Sequence, residues 1–92
     1  MSKARAEVIV HGRVQGVFFR QSTVEMASAI GLTGRVRNCP VGTVAAIFEG
    51  DKDKVREAVA WCHHGPSAAR VSNIEVDWQD CFGEFDCFKI DY

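Results

Sequence analysis

The sequence predicts an α+β fold in which two helices cover one face of a mostly antiparallel sheet. Apolar residues alternate in several short runs, which indicates strands with one buried face. Two other segments repeat their apolar residues at the helical spacing. A turn over residues 39–42 separates two of the strand-like runs, which predicts an antiparallel hairpin. The resulting order is β-α-β-β-α-β, with a short extra strand at the C-terminal end.

The first strand and the first helix are predicted from a change of hydrophobic period. Residues 6–11 alternate between their two faces, which is typical of a strand. Residues 21–30 take the helical spacing, and Gly31 is a usual helix stop. The core-facing residues expected on this helix are Val24, Ala27 and Ile30.

The second and third strands are predicted over residues 32–37 and 43–49. Cys39-Pro40-Val41-Gly42 lies between them, and Pro and Gly are strong turn formers. Because the connection is so short, we expect the two strands to pair antiparallel.

The second helix is expected to open at Gly50-Asp51, with Asp51 as the N-cap, and to stop at Gly65-Pro66. Strands are predicted over residues 71–78 and 85–92. The core stripe of the helix is Val55, Ala58, Val59 and Cys62, and the inward residues of the fourth strand are Ile74, Val76 and Trp78. Together these elements predict the two-layer sandwich of the ferredoxin-like class.

The loop from Gly12 to Arg20 joins the first strand to the first helix and is the strongest candidate for a site. Glycines let the backbone approach a ligand, and the N-terminus of a helix attracts anions. Arg20 can add a planar guanidinium, which suits a phosphoryl group. The alternative is a tight structural connection in which Arg20 makes a surface ion pair.

Asn38 is a second candidate, at the end of the second strand. Its amide can donate and accept hydrogen bonds at once, so it can hold a water molecule. Asparagine before a turn is also a common turn former, which is the structural alternative. The functional interpretation requires that Asn38 lie beside the first loop.

The histidines and cysteines do not predict a metal site. Cys62, His63 and His64 are consecutive, so their side chains point in different directions at the end of a helix. We expect Cys62 in the core and no bound metal. Cys81 and Cys87 flank a turn, which leaves a disulfide between them open, although reduced thiols are usual in the cytoplasm.

Composition limits the remaining possibilities. The 92 residues are enough for one domain, and we assign residues 1–92 to it. The net charge of −1 argues against a general nucleic-acid-binding protein, since such proteins are usually basic. No apolar run is long enough for a membrane span, and the first residues do not form a secretory signal. We therefore expect a cytoplasmic protein, without nucleic-acid or membrane partners and monomeric.

Five segments resemble the acylphosphatase family, in register across nearly the whole chain. They are Gly12-Arg13-Val14-Gln15-Gly16-Val17-Phe18-Phe19-Arg20, Gly34-Arg35-Val36-Arg37-Asn38, Gly42-Thr43-Val44, Glu49-Gly50, and Gly65-Pro66-Ser67-Ala68-Ala69-Arg70-Val71. The resemblance implies a ferredoxin-like fold and the hydrolysis of acyl phosphates to a carboxylate and inorganic phosphate. It also implies that no metal or cofactor is needed.

The resemblance assigns roles to two side chains and one loop. Arg20 would bind the phosphoryl group together with loop amides, and Asn38 would position the attacking water. The implied phosphate-binding loop consists of Gln15, Gly16, Val17, Phe18, Phe19 and Arg20. The substrate's own phosphate oxygen would take the proton, which agrees with the absence of an obvious protein base.

Four positions depart from the usual family pattern without removing a catalytic group. Phe18 is larger than the residue often found there, and Arg35 replaces a common aromatic residue. Val41 and Ala45 replace residues that are more often polar or acidic. We expect these changes to alter loop packing, rate or stability rather than the type of reaction.

Two rival functions remain open from the sequence. The same fold occurs as a phosphate- or carbamoyl-phosphate-binding module of larger proteins, and we expect the stand-alone enzyme because the sequence ends at Tyr92. An RNA-binding sheet could use Phe18 and Phe19 to stack bases, but those residues lie in the loop and the chain is not basic.

Overall fold

The computed structural model describes residues 2–92. Two helices and five strands follow one another along the chain: β1 (Lys3–Arg13), α1 (Phe19–Ala29), β2 (Thr33–Asn38), β3 (Val44–Asp51), α2 (Lys52–Cys62), β4 (Arg70–Gln79) and β5 (Phe88–Ile90). The sheet order is β4-β1-β3-β2-β5. All pairs are antiparallel except β2 with β5, which is parallel. The predicted ferredoxin-like α+β fold is confirmed.

The core lies between the helices and one face of the sheet. The central strands contribute Val8, Val10, Val36, Val44 and Phe48, all fully buried. In the stripe predicted for α2, Val55, Ala58 and Cys62 are buried, and Val59 is partly buried against the core. In α1 the buried stripe is instead Phe19, Thr23 and Ala27, while Val24 and Ile30 pack at its edge. Of the three residues predicted to face the core, only Ala27 is fully buried, and the helix begins at Phe19, two residues earlier than the sequence pattern indicates.

The start of α2 also differs from the prediction. Gly50 and Asp51 are the last residues of β3, and α2 begins at Lys52. Asp51 occupies the N-cap position, but its side chain makes no capping hydrogen bond. The backbone amide of Lys52 donates to the Ser2 carbonyl instead, at 3.0 Å. The residue that precedes β1 therefore takes part in capping this helix.

Trp78 was predicted to point into the core, and this prediction was wrong. Its side chain is 45% exposed, whereas Ile74 and Val76 are half-buried against the core. Trp78 lies near the end of β4, an edge strand with a neighbour on one side only. Alternation gives the face on which a side chain lies, but not how far the helices extend over that face.

The cysteines are free thiols. Cys81 and Cys87, between which the sequence left a disulfide open, are not bonded to each other. Burial raises the pKa of the Cys62 thiol to about 12, so this thiol is protonated and unreactive at neutral pH. None of the helices within residues 2–92 is long and apolar enough to cross a bilayer.

A buried ion pair lies on the other face of the sheet. Arg5 and Glu49 face each other across β1 and β3, and their side chains approach to 3.1 Å. Glu49 also accepts hydrogen bonds from the backbone amides of Phe82 and Glu84, at 3.4 and 3.0 Å. Burial alone lowers the pKa of Arg5, but hydrogen bonds to carboxylates outweigh it and raise the pKa. The pair fixes the segment before β5 against the sheet.

Replacing Glu49 tests this role. Glu49→Ala should lower the free energy of unfolding by about 3–5 kcal/mol, because the buried charge of Arg5 loses its buried partner. Urea denaturation of the purified protein measures the change. Glu57→Ala is the control, since Glu57 pairs with Lys54 on the exposed surface, and it should cost about 1 kcal/mol or less. Equal losses for the two variants would contradict a structural role of the buried pair.

Candidate active site

The loop between β1 and α1 starts at an irregularity in the sheet. The register of β1 with β4 shifts between His11 and Gly12, as in a β-bulge. Gly12 has φ of 125°, and a Cβ atom at this position would lie 2.1 Å from the Arg70 carbonyl oxygen. Only glycine fits there, which explains its place at the start of the loop.

The loop then leads into α1 through two residues in the left-handed region. Gly16 has φ of 72° and Phe18 has φ of 62°, and Phe18 occupies the N-cap position of the helix. Phenylalanine has no side-chain acceptor, so α1 lacks the usual side-chain cap. The first backbone hydrogen bond of the helix runs from the Ser22 amide to the Phe18 carbonyl. The amides of residues 19–21 therefore have no partner within the helix.

These uncapped amides belong to residues that line a cavity of about 320 Å³. The cavity is also lined by Gly16 and Phe18 of the loop, by Arg20 and by Asn38. The sequence required Asn38 to lie beside the first loop, and the fold has this arrangement because β1 and β2 both pair with β3. An uncapped helix N-terminus and a guanidinium around one cavity form a setting suited to an anion.

Not all residues of the predicted loop line the cavity. Gln15 and Val17 are absent from its wall, whereas Gly16, Phe18, Phe19 and Arg20 are present. Val17 is buried in the core, at 7% exposure. Phe19 is also a core residue, packed edge-to-face against Trp61 with ring centres 5.4 Å apart. Phe18, in contrast, is 80% exposed, so the two phenylalanines do not form a joint stacking surface for RNA.

The side-chain oxygen of Asn38 does not have the hydrogen bond that is expected of a turn-forming asparagine. This oxygen, Oδ1, is buried and accepts no hydrogen bond from any of residues 2–92. A turn-forming asparagine normally uses this oxygen to accept a bond from the nearby backbone. A buried acceptor without a donor costs free energy, so Oδ1 calls for a donor from a ligand or water.

Gln15 connects the two halves of the site. Its side-chain amide donates to the Cys39 and Thr43 carbonyl oxygens, both at 2.8 Å. These carbonyls flank the turn between β2 and β3, which begins directly after Asn38. The role implied for Gln15 concerned its backbone amide, and sequence reasoning missed this side-chain function.

The C-terminal segment supplies residues that the sequence did not indicate. Ile90 and Tyr92 line the same cavity, and the Arg20 guanidinium carbon lies 5.4 Å from the centre of the Tyr92 ring. The parallel pairing of β5 with β2 brings this segment beside Asn38. The sequence predicted a strand over residues 85–92 but not the strand beside which it lies, and the strand in the structure is shorter, Phe88–Ile90.

No cluster of three or more potential metal-ligating side chains occurs within residues 2–92. His63 and His64 lie just beyond the end of α2, at the exposed surface. His11 pairs with Glu75 on the other face of the sheet, with 2.5 Å between Nε2 and Oε2. The cavity beside Arg20 has no histidine or carboxylate side chain in its wall.

The chain belongs to the acylphosphatase family, whose model matches residues 6–90. It is 56% identical over 90 residues to the acylphosphatase of Pelotomaculum thermopropionicum, and the match covers 98% of each chain. The relatives of this kind are hydrolases by name, so the chain is an enzyme of that class.

Solved structures agree with this assignment. The acylphosphatase from Bacillus subtilis superposes with a TM-score of 0.92 at 30% identity, covering 97% of this chain and 99% of that one. Full-length HypF superposes with a TM-score of 0.85 at 22% identity, but the match covers only 12% of its chain. The likeness to HypF shows a shared fold alone.

Replacing Gln15 tests whether its side chain holds the site together. Gln15→Leu keeps most of the volume but leaves the Cys39 and Thr43 carbonyls without this donor. We expect a loss of about 1–3 kcal/mol in unfolding free energy and faster hydrogen exchange in residues 14–18. Gln21→Leu is the control, because within residues 2–92 the Gln21 side chain bonds only to exposed Glu25, at 3.3 Å. Unchanged exchange in the loop of Gln15→Leu would contradict the bridging role.

Proposed function

We propose that this chain hydrolyses acyl phosphates to a carboxylate and inorganic phosphate, without a metal or cofactor. The observation that carries the proposal is that residues with three such features line one cavity: the uncapped start of α1, the Arg20 guanidinium, and Asn38, whose side-chain oxygen has no hydrogen-bond partner within residues 2–92. Acyl phosphates suit such a site, because the carboxylate is already a good leaving group. Orientation and charge stabilisation then supply most of the catalysis.

Arg20 and the loop backbone would bind the phosphoryl group. The guanidinium offers two parallel N–H donors to two phosphoryl oxygens, and the amides at the start of α1 donate to the others. Both kinds of donor lie on rigid elements, since the adjacent Phe19 is packed in the core. The donors can follow the negative charge as it spreads over the phosphoryl oxygens in the transition state.

Asn38 would position the attacking water. Its Oδ1 can accept a hydrogen bond from water, which directs an oxygen lone pair of that water towards phosphorus. A new P–O bond then forms while the bond from phosphorus to the acyl oxygen breaks. One water proton passes to a phosphoryl oxygen, and the electron pair leaves with the carboxylate.

The substrate oxygen is the proton acceptor in this scheme because the wall of the cavity contains no side-chain base. The described lining consists of apolar residues, glycine, amides, Arg20 and the Tyr92 phenol. We therefore expect little dependence of the rate on a protein group that titrates near neutral pH.

A non-catalytic carbamoyl-phosphate-binding module is the alternative raised by the sequence. Curated relatives that match almost the full chain are named acylphosphatase, whereas the likeness to HypF is limited to the fold. We therefore favour the enzyme. We further propose that residues 1–92 form one domain that acts as a cytoplasmic monomer on a small-molecule substrate.

Metal-independent hydrolysis is directly testable. Purified protein should hydrolyse benzoyl phosphate at the same rate with and without excess chelator, because the proposed mechanism uses only protein donors and water. Loss of substrate absorbance measures the rate. Activity that disappears with chelator and returns with zinc or magnesium would overturn this part of the proposal.

Arg20 should be essential for both binding and turnover. Arg20→Ala should lower kcat/KM by about a hundredfold or more and weaken inhibition by inorganic phosphate. Arg20→Lys keeps the charge but loses the two-donor fork, so it should not restore activity. Arg13→Lys serves as a control outside the lining of the cavity. Near-normal kinetics of Arg20→Ala would remove this residue from the mechanism.

Asn38 should affect turnover more than phosphate binding. Asn38→Ala should lower kcat by about a hundredfold, typical of losing a positioning group, while inorganic phosphate still inhibits. If Asn38 is only a turn former, the variant should instead lose about 1 kcal/mol of stability and keep its kcat. Measuring kcat, phosphate inhibition and the urea midpoint on one preparation separates the two roles.

A further inference from the structure

A second and larger cavity lies at the opposite end of the sheet from Arg20. Its volume is about 620 Å³, and it is formed where β1 and α2 begin and β4 ends. Ala4 near the start of β1 lines this cavity, and Val14 directly after β1 lines the other, so the two cavities are roughly 30 Å apart at the rise of an extended strand. A ligand in one cavity therefore does not contact the other.

Three cations from separate parts of the chain line this second cavity. They are Lys3 at the start of β1 and Lys52 and Arg56 on the first turns of α2. The one carboxylate in the lining is Asp80. The charged lining residues thus carry a net charge of +2, three cations less one anion, in a chain whose net charge is −1. The positive charge is a local feature of this cavity.

These cations are available to a ligand. Within residues 2–92, Lys3 and Lys52 form no ion pair, and Arg56 approaches only Asp53, at 3.8 Å on the exposed surface. An exposed pair at this distance is weak and easily exchanged. The first amide of α2 is already used by the Ser2 carbonyl, so an anion here would be bound by side chains.

Trp78 adds an aromatic surface to the same cavity. It lines the wall beside the cations and is 45% exposed, the feature of β4 that the sequence did not predict. An exposed indole next to several cations suits a ligand that has both a flat ring and several negative charges. The cavity volume is within the range of about 300–1,000 Å³ that is typical of small-molecule sites.

We propose that this cavity is a binding site for a nucleoside di- or triphosphate. The base stacks on Trp78, and the phosphates bind Lys52, Arg56 and Lys3. The site is separate from the proposed acyl phosphate site and does not depend on the activity proposed for it. A mononucleotide is favoured over a nucleic-acid strand because the cations surround one cavity instead of forming a stripe across the surface.

The test is a titration of ¹⁵N-labelled protein with ATP in the presence of chelator, followed by NMR. The two indole N–H resonances report on Trp78 and on half-buried Trp61 separately, and Trp78→Phe assigns them. ATP should shift the Trp78 resonance and the amides at the start of α2. Adenosine alone and tripolyphosphate alone should each bind about tenfold more weakly or worse, because each offers only half of the recognised chemistry.

Variants separate this site from the active site. Trp78→Ala and the double change Lys52→Gln with Arg56→Gln should each weaken ATP binding about tenfold, whereas Trp78→Phe should retain most of it. Lys54→Gln is the matched control, since Lys54 lies on the same helix outside the cavity and pairs with Glu57. Arg20→Ala should leave ATP binding within about twofold of the unmodified protein.

Several results would overturn the proposal. ATP binding that survives Trp78→Ala would remove the aromatic contact, and binding lost only in Arg20→Ala would assign the nucleotide to the active site. If tripolyphosphate binds as tightly as ATP, the cavity recognises polyanions in general and not nucleotides. An oligonucleotide that binds the same residues far more tightly than ATP would indicate a nucleic-acid surface instead. Thermal melting of each variant establishes that it is folded.

Discussion

The hydrogen bonds of one side chain, Gln15, hold the two halves of the active site at a fixed separation. Arg20, which follows the loop, and Asn38, which ends β2, are 18 positions apart in the sequence. The Gln15 amide joins the loop to both sides of the turn after Asn38, at 2.8 Å each. Without this bridge the sheet still brings the two segments near each other, but the distance between Arg20 and Asn38, which are proposed to bind the phosphoryl group and to position water, would be less firmly fixed.

On the face of the sheet opposite the helices, the buried carboxylate of Glu49 likewise joins segments that are far apart in the sequence. Glu49 accepts bonds from Arg5 and from the segment that precedes β5. Arg35 adds to this anchoring, because it donates to the Cys87 carbonyl at 2.9 Å and stacks over Phe85. The departure from the family pattern at Arg35 thus has a structural consequence here. Since β5 ends at Ile90 and Tyr92 follows it, these contacts also help to keep the C-terminal wall of the cavity beside Arg20 in place.

The sequence was sufficient to predict the fold, because strands and helices follow from local patterns, and the same patterns indicated Arg20 and Asn38 as candidates. That Asn38 lies beside the first loop depends on the pairing of β1 and β2 with β3 and could not be predicted. Periodicity predicts strands and helices, and a glycine-containing connection between a strand and a helix indicates an anion site. What the sequence did not reveal depends on long-range geometry. Two such features depend on which segments become neighbours: the hydrogen bonds of Gln15 across the turn after Asn38, and the position of Tyr92 in the wall of the cavity. The exposure of Trp78 depends on how far the helices extend over the sheet. A side chain's face follows from alternation, whereas its partners across the fold do not.

The central claim is that a phosphoryl group binds between the start of α1 and Asn38. A crystal structure of the protein with inorganic phosphate, which is both product and substrate analogue, tests it most directly. We expect phosphate oxygens about 2.7–3.1 Å from the Arg20 guanidinium and from the first amides of α1. A water on the Asn38 Oδ1 should face phosphorus. Phosphate bound only beside Lys52 and Arg56, or bound in the cavity without Arg20, would contradict the account.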